Sequence, residues 1–94
     1  MFSIYFFNIW SLCVVEVKEF KIALGRKVAM LRKRNGMTQP ELGALLSKDF
    51  QNISRIENGK VNISAHLMYE IANALQVSVN ELLDFSKLDE LNVK

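Results

Sequence analysis

One cysteine, one histidine and one proline are all that this 94-residue chain holds of the residues that make disulfides, ligate zinc or stiffen loops. Cys13 alone closes no internal disulfide, and Cys13 with His66 falls short of a four-ligand zinc site. Serine-histidine-acid catalysis would rest on His66, with no nucleophile loop near it, and no glycine-rich phosphate cradle is present. Enzymatic chemistry, a metal and a cofactor are therefore not expected. Strand signals, internal repeats and low-complexity tracts are also missing from residues 20–94. What is present is a composition half hydrophobic and 23% charged, which suits one globular domain. A chain of this size buries only about 60–65% of its unfolded surface, so its core has to be economical.

The net charge of +2 conceals a strong division along the chain. Residues 20–60 carry nine bases (Lys21, Arg26, Lys27, Arg32, Lys33, Arg34, Lys48, Arg55, Lys60) against Glu41, Asp49 and Glu57, a net +6. Residues 1–19 hold a net −1 and residues 61–94 a net −3. A basic middle beside an acidic end points to an anionic partner for the middle alone.

The opening MFSIYFFNIWSLCVV is apolar and aromatic, with its first charge at Glu16. It lacks the basic start and small-residue cleavage site of a secretory signal. Broken by Ser3, Asn8 and Ser11, it is shorter than the roughly 20 apolar residues of a membrane span. Its aromatic and β-branched residues permit a strand, but the polar positions do not alternate cleanly. A packing or dimerisation segment remains open, as does translation starting at Leu12, Val14 or Val15. The chain is accordingly divided into an apolar extension (1–19), a main domain (20–85) and a polar tail (86–94), and a cytoplasmic protein is expected. Cys13 reads as a small apolar filler.

From Phe20 the pattern is helical. Leu24, Val28 and Leu31 form one apolar stripe, with Arg26, Lys27, Lys33 and Arg34 mostly off it, and Asn35-Gly36 ends the helix. Thr38-Gln39-Pro40-Glu41 is a capping box with proline in the first turn, opening a short helix expected to bury Leu42, Leu45 and Leu46. Gly43 costs that helix about 1 kcal/mol relative to alanine, which implies a close crossing by another helix. Asp49 caps a third helix that buries Ile53 and Ile56 and stops at Gly59. A fourth begins at Ser64 and buries Met68, Ile71, Ala72 and Leu75, with His66 outside and Tyr69 in a core or interface. A second capping box, Ser78 to Glu81, starts a fifth with Leu82 and Leu83. Leu88 and Leu91 either prolong it or lie in a frayed tail.

These residues carry a resemblance. MTQPELGALLSKDFQNISRIENGK, Met37 to Lys60, is similar to the helix-turn-helix of the phage-repressor and Cro-like (xenobiotic-response-element type) regulators, and NISAHLMYEIANALQVSVNELL to the two helices that follow it in that family. The specific parts are Thr38-Gln39 with Glu41-Leu42, the run Ile53 to Gly59, and Ile71-Ala72 with Ala74-Leu75. The resemblance implies an all-α five-helix bundle of the lambda-repressor-like type, with the helix-turn-helix at helices 2 and 3. Ser47 stands where the family often has glycine, and Gly43 where it usually has alanine.

In such a pair the second helix enters the major groove. Helical phase turns Phe50, Gln51, Ser54 and Arg55 outward or sideways: glutamine can pair with adenine, arginine with guanine, and the phenylalanine ring with a thymine methyl. For Gln51 and Arg55 ordinary surface polarity is the alternative, and for Phe50 burial against a neighbouring helix. Gln39 resembles the family's backbone-contacting glutamine, and Asn52, Asn58, Lys60 and Lys48 are further phosphate candidates, with Arg26 behind them. Asn58 can instead only terminate its helix. The resemblance also implies a partly buried pair of Arg32 with Glu57, against the alternative of two independent surface charges. The expected function is sequence-specific binding of a double-stranded DNA operator by a small transcriptional regulator, a repressor or autoregulator. It would bind as a homodimer, with Leu82, Leu83, Phe85 and Leu88 as a candidate dimer surface. No small-molecule sensor is evident. A protein-binding adaptor or an antitoxin built on the same bundle is the rival reading.

Overall fold

The computed structural model describes the backbone of residues 2–86 and the side chains of residues 17–86. Within them the chain forms five α-helices and no strand: α1 Phe2–Arg34, α2 Gln39–Leu46, α3 Phe50–Glu57, α4 Ala65–Leu75 and α5 Val79–Leu82. α1 runs through positions 19 and 20 without a break, so the apolar opening and the first helix of the bundle are one helix. No proline, and no glycine before Gly25, interrupts it. At its far end Gly36 takes φ 72°, the left-handed turn that closes a helix, and the Asn35 Nδ2 donates to the Leu75 carbonyl at 2.8 Å, tying the ends of α1 and α4 together.

Each later helix starts on a side-chain cap. Thr38 Oγ1 accepts from the Glu41 amide at 3.2 Å while Glu41 Oε1 accepts from the Thr38 amide at 2.8 Å, a complete capping box. Asp49 Oδ1, Ser64 Oγ and Ser78 Oγ accept from the amides three residues on, at 2.9, 3.1 and 3.0 Å. The box expected at α5 is only half formed: Glu81 turns its carboxylate to Lys27, 3.5 Å from Nζ.

The core is drawn from all five helices: Leu24, Val28 and Leu31; Leu42; Ile53 and Ile56; Ile71, Ala72 and Leu75; and Leu82. Met68 packs on its edge, half-buried. Three expectations are corrected and one is narrowed. Leu45 is 61% exposed, because the buried arc of α2 is centred between Leu42, Gly43 and Leu46, and Leu45 lies roughly 110° from that centre at 100° per residue. Tyr69 is 60% exposed, which excludes the core and leaves the interface of its two expected places. Lys27 is only 1% exposed: it borders the stripe of Leu24 and Leu31, and its stem is buried while its ammonium reaches Glu81. Leu82 is fully buried within its own chain and so meets no partner copy. Its neighbours Leu83 and Phe85 are half-buried, Phe85 edge-on to Phe20 with ring centres 5.7 Å apart. Leu88, Leu91 and the Cys13 side chain lie outside the described residues.

Candidate nucleic-acid interface

α2 and α3 are joined by Ser47-Lys48-Asp49, a turn too short for anything but a steep crossing. Ser47 adopts φ 57°, ψ 41°, so the turn does need a left-handed residue where serine stands. The Lys48 amide donates to the Gly43 carbonyl at 2.8 Å. A side chain at Gly43 would collide with the Lys48 carbonyl, so the close neighbour is the turn and not the body of a crossing helix.

A second close approach had no signal in periodicity alone. Gly25 of α1 is buried, and a Cβ there would lie 2.5 Å from the carbonyl oxygens of Ile56 and Glu57. The last turn of α3 therefore rests on the α1 backbone. A glycine inside an otherwise strong apolar helix pattern was the available clue. With Ile53 and Ile56 in the core, α3 is held at its start, along its inner face and at its end.

The opposite face of α3 is open. Phe50 is 52% exposed, and Gln51, Asn52 and Arg55 are exposed. Ser54 is half-buried and its hydroxyl faces Asn58 Nδ2 at 3.4 Å. Asn58 Nδ2 donates to the Ser54 carbonyl at 2.8 Å, so this side chain closes the end of α3. Lys60 is exposed and Lys48 half-buried. Asp49, on the same side, is engaged as the cap of α3.

Behind this face lies a polar junction. The Arg32 guanidinium grips Glu57 with both arms, Nε to Oε2 at 2.6 Å and Nη2 to Oε1 at 3.1 Å, and its Nη1 donates to the Met37 carbonyl at 2.8 Å. Both side chains are almost withdrawn from solvent. Gln39 joins them, its Nε2 donating to Glu57 Oε1 at 2.9 Å. This last contact was not foreseen, because the reach of Gln39 depends on how α2 crosses α3. The arrangement offers a polar helix face with basic side chains beside it, which can recognise a polyanion. Among the described residues no group of three or more His, Cys, Asp or Glu could hold a metal ion.

Residues 28–82 match the family model described as helix-turn-helix. The chain belongs to the Cro/C1-like helix-turn-helix family. The chain is 37% identical over 59 residues to the competence pilus inhibition repressor of Acinetobacter baylyi, covering 63% of this chain and 54% of that one, about half the relative's length. It is 32% identical over 75 residues to the control protein C.MunI of a Mycoplasma species, covering 79% of this chain and 99% of the relative. Among solved structures, the clp gene regulator ClgR from C. glutamicum superposes with a TM-score of 0.66 at 28% identity, over 68% of this chain and 82% of that one. The restriction-modification controller protein C.AhdI from Aeromonas hydrophila does so with a TM-score of 0.65 at 26% identity, over 69% and 94%.

Proposed function

We propose that this helix-turn-helix protein is a small transcriptional regulator that reads double-stranded DNA with α3 in the major groove. One observation carries the reading: a helix anchored along its whole inner face turns Gln51, Arg55 and Phe50 to solvent. Gln51 and Arg55 are the base-reading side chains, with Phe50 against a thymine methyl and Ser54 at the edge of the contact. Gln39, Asn52, Lys48 and Lys60 face the phosphates, and Asn58, which donates one Nδ2 hydrogen to the Ser54 carbonyl, has its other amide hydrogen to offer them. Two copies on two half-sites about one helical turn apart supply the surface that a single copy lacks. Repression is the mode favoured by the Acinetobacter relative, which is itself a repressor.

Selection of bound sequences from a random duplex pool, at two ionic strengths, tests this directly. A defined consensus is expected, bound far more weakly at the higher salt. On that consensus, Gln51→Ala and Arg55→Ala should each cost about 1–3 kcal/mol and relax preference at one base position. Unchanged base preference in both variants would overturn the assignment of α3.

A further inference from the structure

The Arg32–Glu57–Gln39 junction assigns a function to a carboxylate that would ordinarily oppose DNA binding. We propose that Glu57 is a positioning residue for phosphate recognition: it holds the Gln39 carboxamide in a fixed plane, and Arg32 cancels the charge that would otherwise repel the backbone. The inference rests on the DNA-binding reading above and extends it to a residue that touches no nucleic acid.

The geometry sets out the steps. Arg32 leaves α1 and grips both carboxylate oxygens of Glu57, while its third contact, to the Met37 carbonyl, locks the guanidinium to the segment between α1 and α2. The carboxylate is thus immobile. Gln39, the first residue of α2, donates one Nε2 hydrogen to Glu57 Oε1 at 2.9 Å. A primary amide is planar and has two N–H donors, so fixing one fixes the direction of the other and of the carbonyl. The second N–H is the group a phosphate oxygen can accept from. An exposed glutamine would have to give up rotamer freedom on binding, and here that ordering is already complete. A bare carboxylate so close would repel a phosphate. Paired two-to-two with a guanidinium, it presents no net charge. The same junction ties α1, α2 and the end of α3 together, so the amide is set relative to the recognition helix itself.

The test uses the full chain and the consensus duplex. In the free protein, the Gln39 side-chain amide should show the ¹⁵N relaxation of a rigid group, while that of Gln76, whose side chain has no such partner to fix it, relaxes as a mobile one. Equal mobility of the two would overturn the proposal, without any variant having to fold. Gln39→Ala should weaken binding to every duplex alike by about tenfold, the value of one hydrogen bond to a charged acceptor. Glu57→Gln keeps the bulk but also removes the charge that pairs Arg32, so its affinity is read where a denaturation curve shows the variant folded, and the loss should be clearly larger with Gln39 present than in the Gln39→Ala background. An equal loss in both backgrounds would mean that Glu57 serves only the fold. No loss in either would mean that the amide needs no positioning. A wild-type chain that ignores duplex DNA, yet shows the rigid Gln39 amide, would sink the DNA reading while leaving the junction's geometry intact.

Discussion

Single residues in this protein are chosen as often for backbone geometry as for their side chains. Ser47 pays the steric cost of a left-handed residue at the hinge of the helix-turn-helix, where its Cβ crowds the following carbonyl. Replacing it should relieve that crowding: Ser47→Gly is expected to raise stability by about 1 kcal/mol in a urea titration, with DNA affinity unchanged. The residue was legible beforehand, since the family resemblance places glycine there. Gln76, with φ 62° at the end of α4, was not, because glutamine gives no turn signal and only the tertiary fold forces it into that region. Lys27 and Leu45 failed for a related reason. A periodic pattern gives the centre of a buried face but not its width, and the two residues sit at its margins, where a neighbouring helix decides. α5 covers Lys27, and nothing among the described residues covers Leu45.

At the scale of helices, order and caps were readable because both are local. Thr38, Asp49, Ser64 and Ser78 each act within one turn, and all four start a helix where the sequence places one. Pairings between helices were less readable, as they depend on crossing angles. Lys27–Glu81 is the clearest case. The buried ammonium makes Glu81 choose between capping α5 and answering a charge on α1, and the charge wins. The two ends of this pair should behave unequally. Glu81→Ala leaves a buried ammonium without a partner and is expected to destabilise by about 3 kcal/mol, less whatever water reaches through the partly exposed carboxylate side. Lys27→Met removes the charge itself and should be neutral or stabilising, within about 1–2 kcal/mol. Chemical denaturation of the two variants side by side checks the asymmetry; equal losses would mean that the pair acts as a simple attraction. The exposed positions of α3 were legible for the opposite reason to Lys27: on an eight-residue helix with two core isoleucines, the outward positions follow from phase alone.

The molecule as a whole separates its charges as the sequence suggests, with the basic residues 20–60 containing α2 and α3 and the acidic residues 61–94 containing α4 and α5. Binding that depends on this separation should fall log-linearly with salt, each neutralised phosphate adding about 0.9 to the slope. Lys60→Ala should therefore weaken all duplexes equally and reduce the slope by about 0.9 per bound copy, whereas Gln39→Ala, which removes no charge, should leave the slope alone. Affinity measured between low and moderate salt distinguishes the two. α1 joins these regions, and it also carries Gly25, on which the last turn of α3 rests, while Gly43 admits the turn at its first. Main chain against main chain at both ends has a consequence for how such a protein can change. The placement of the reading helix does not depend on the identity of the side chains it presents outward, so Gln51 and Arg55 can be exchanged without retuning the frame that carries them. New operators are then within reach of one or two substitutions, and a library randomised at those positions alone should yield folded proteins with altered targets.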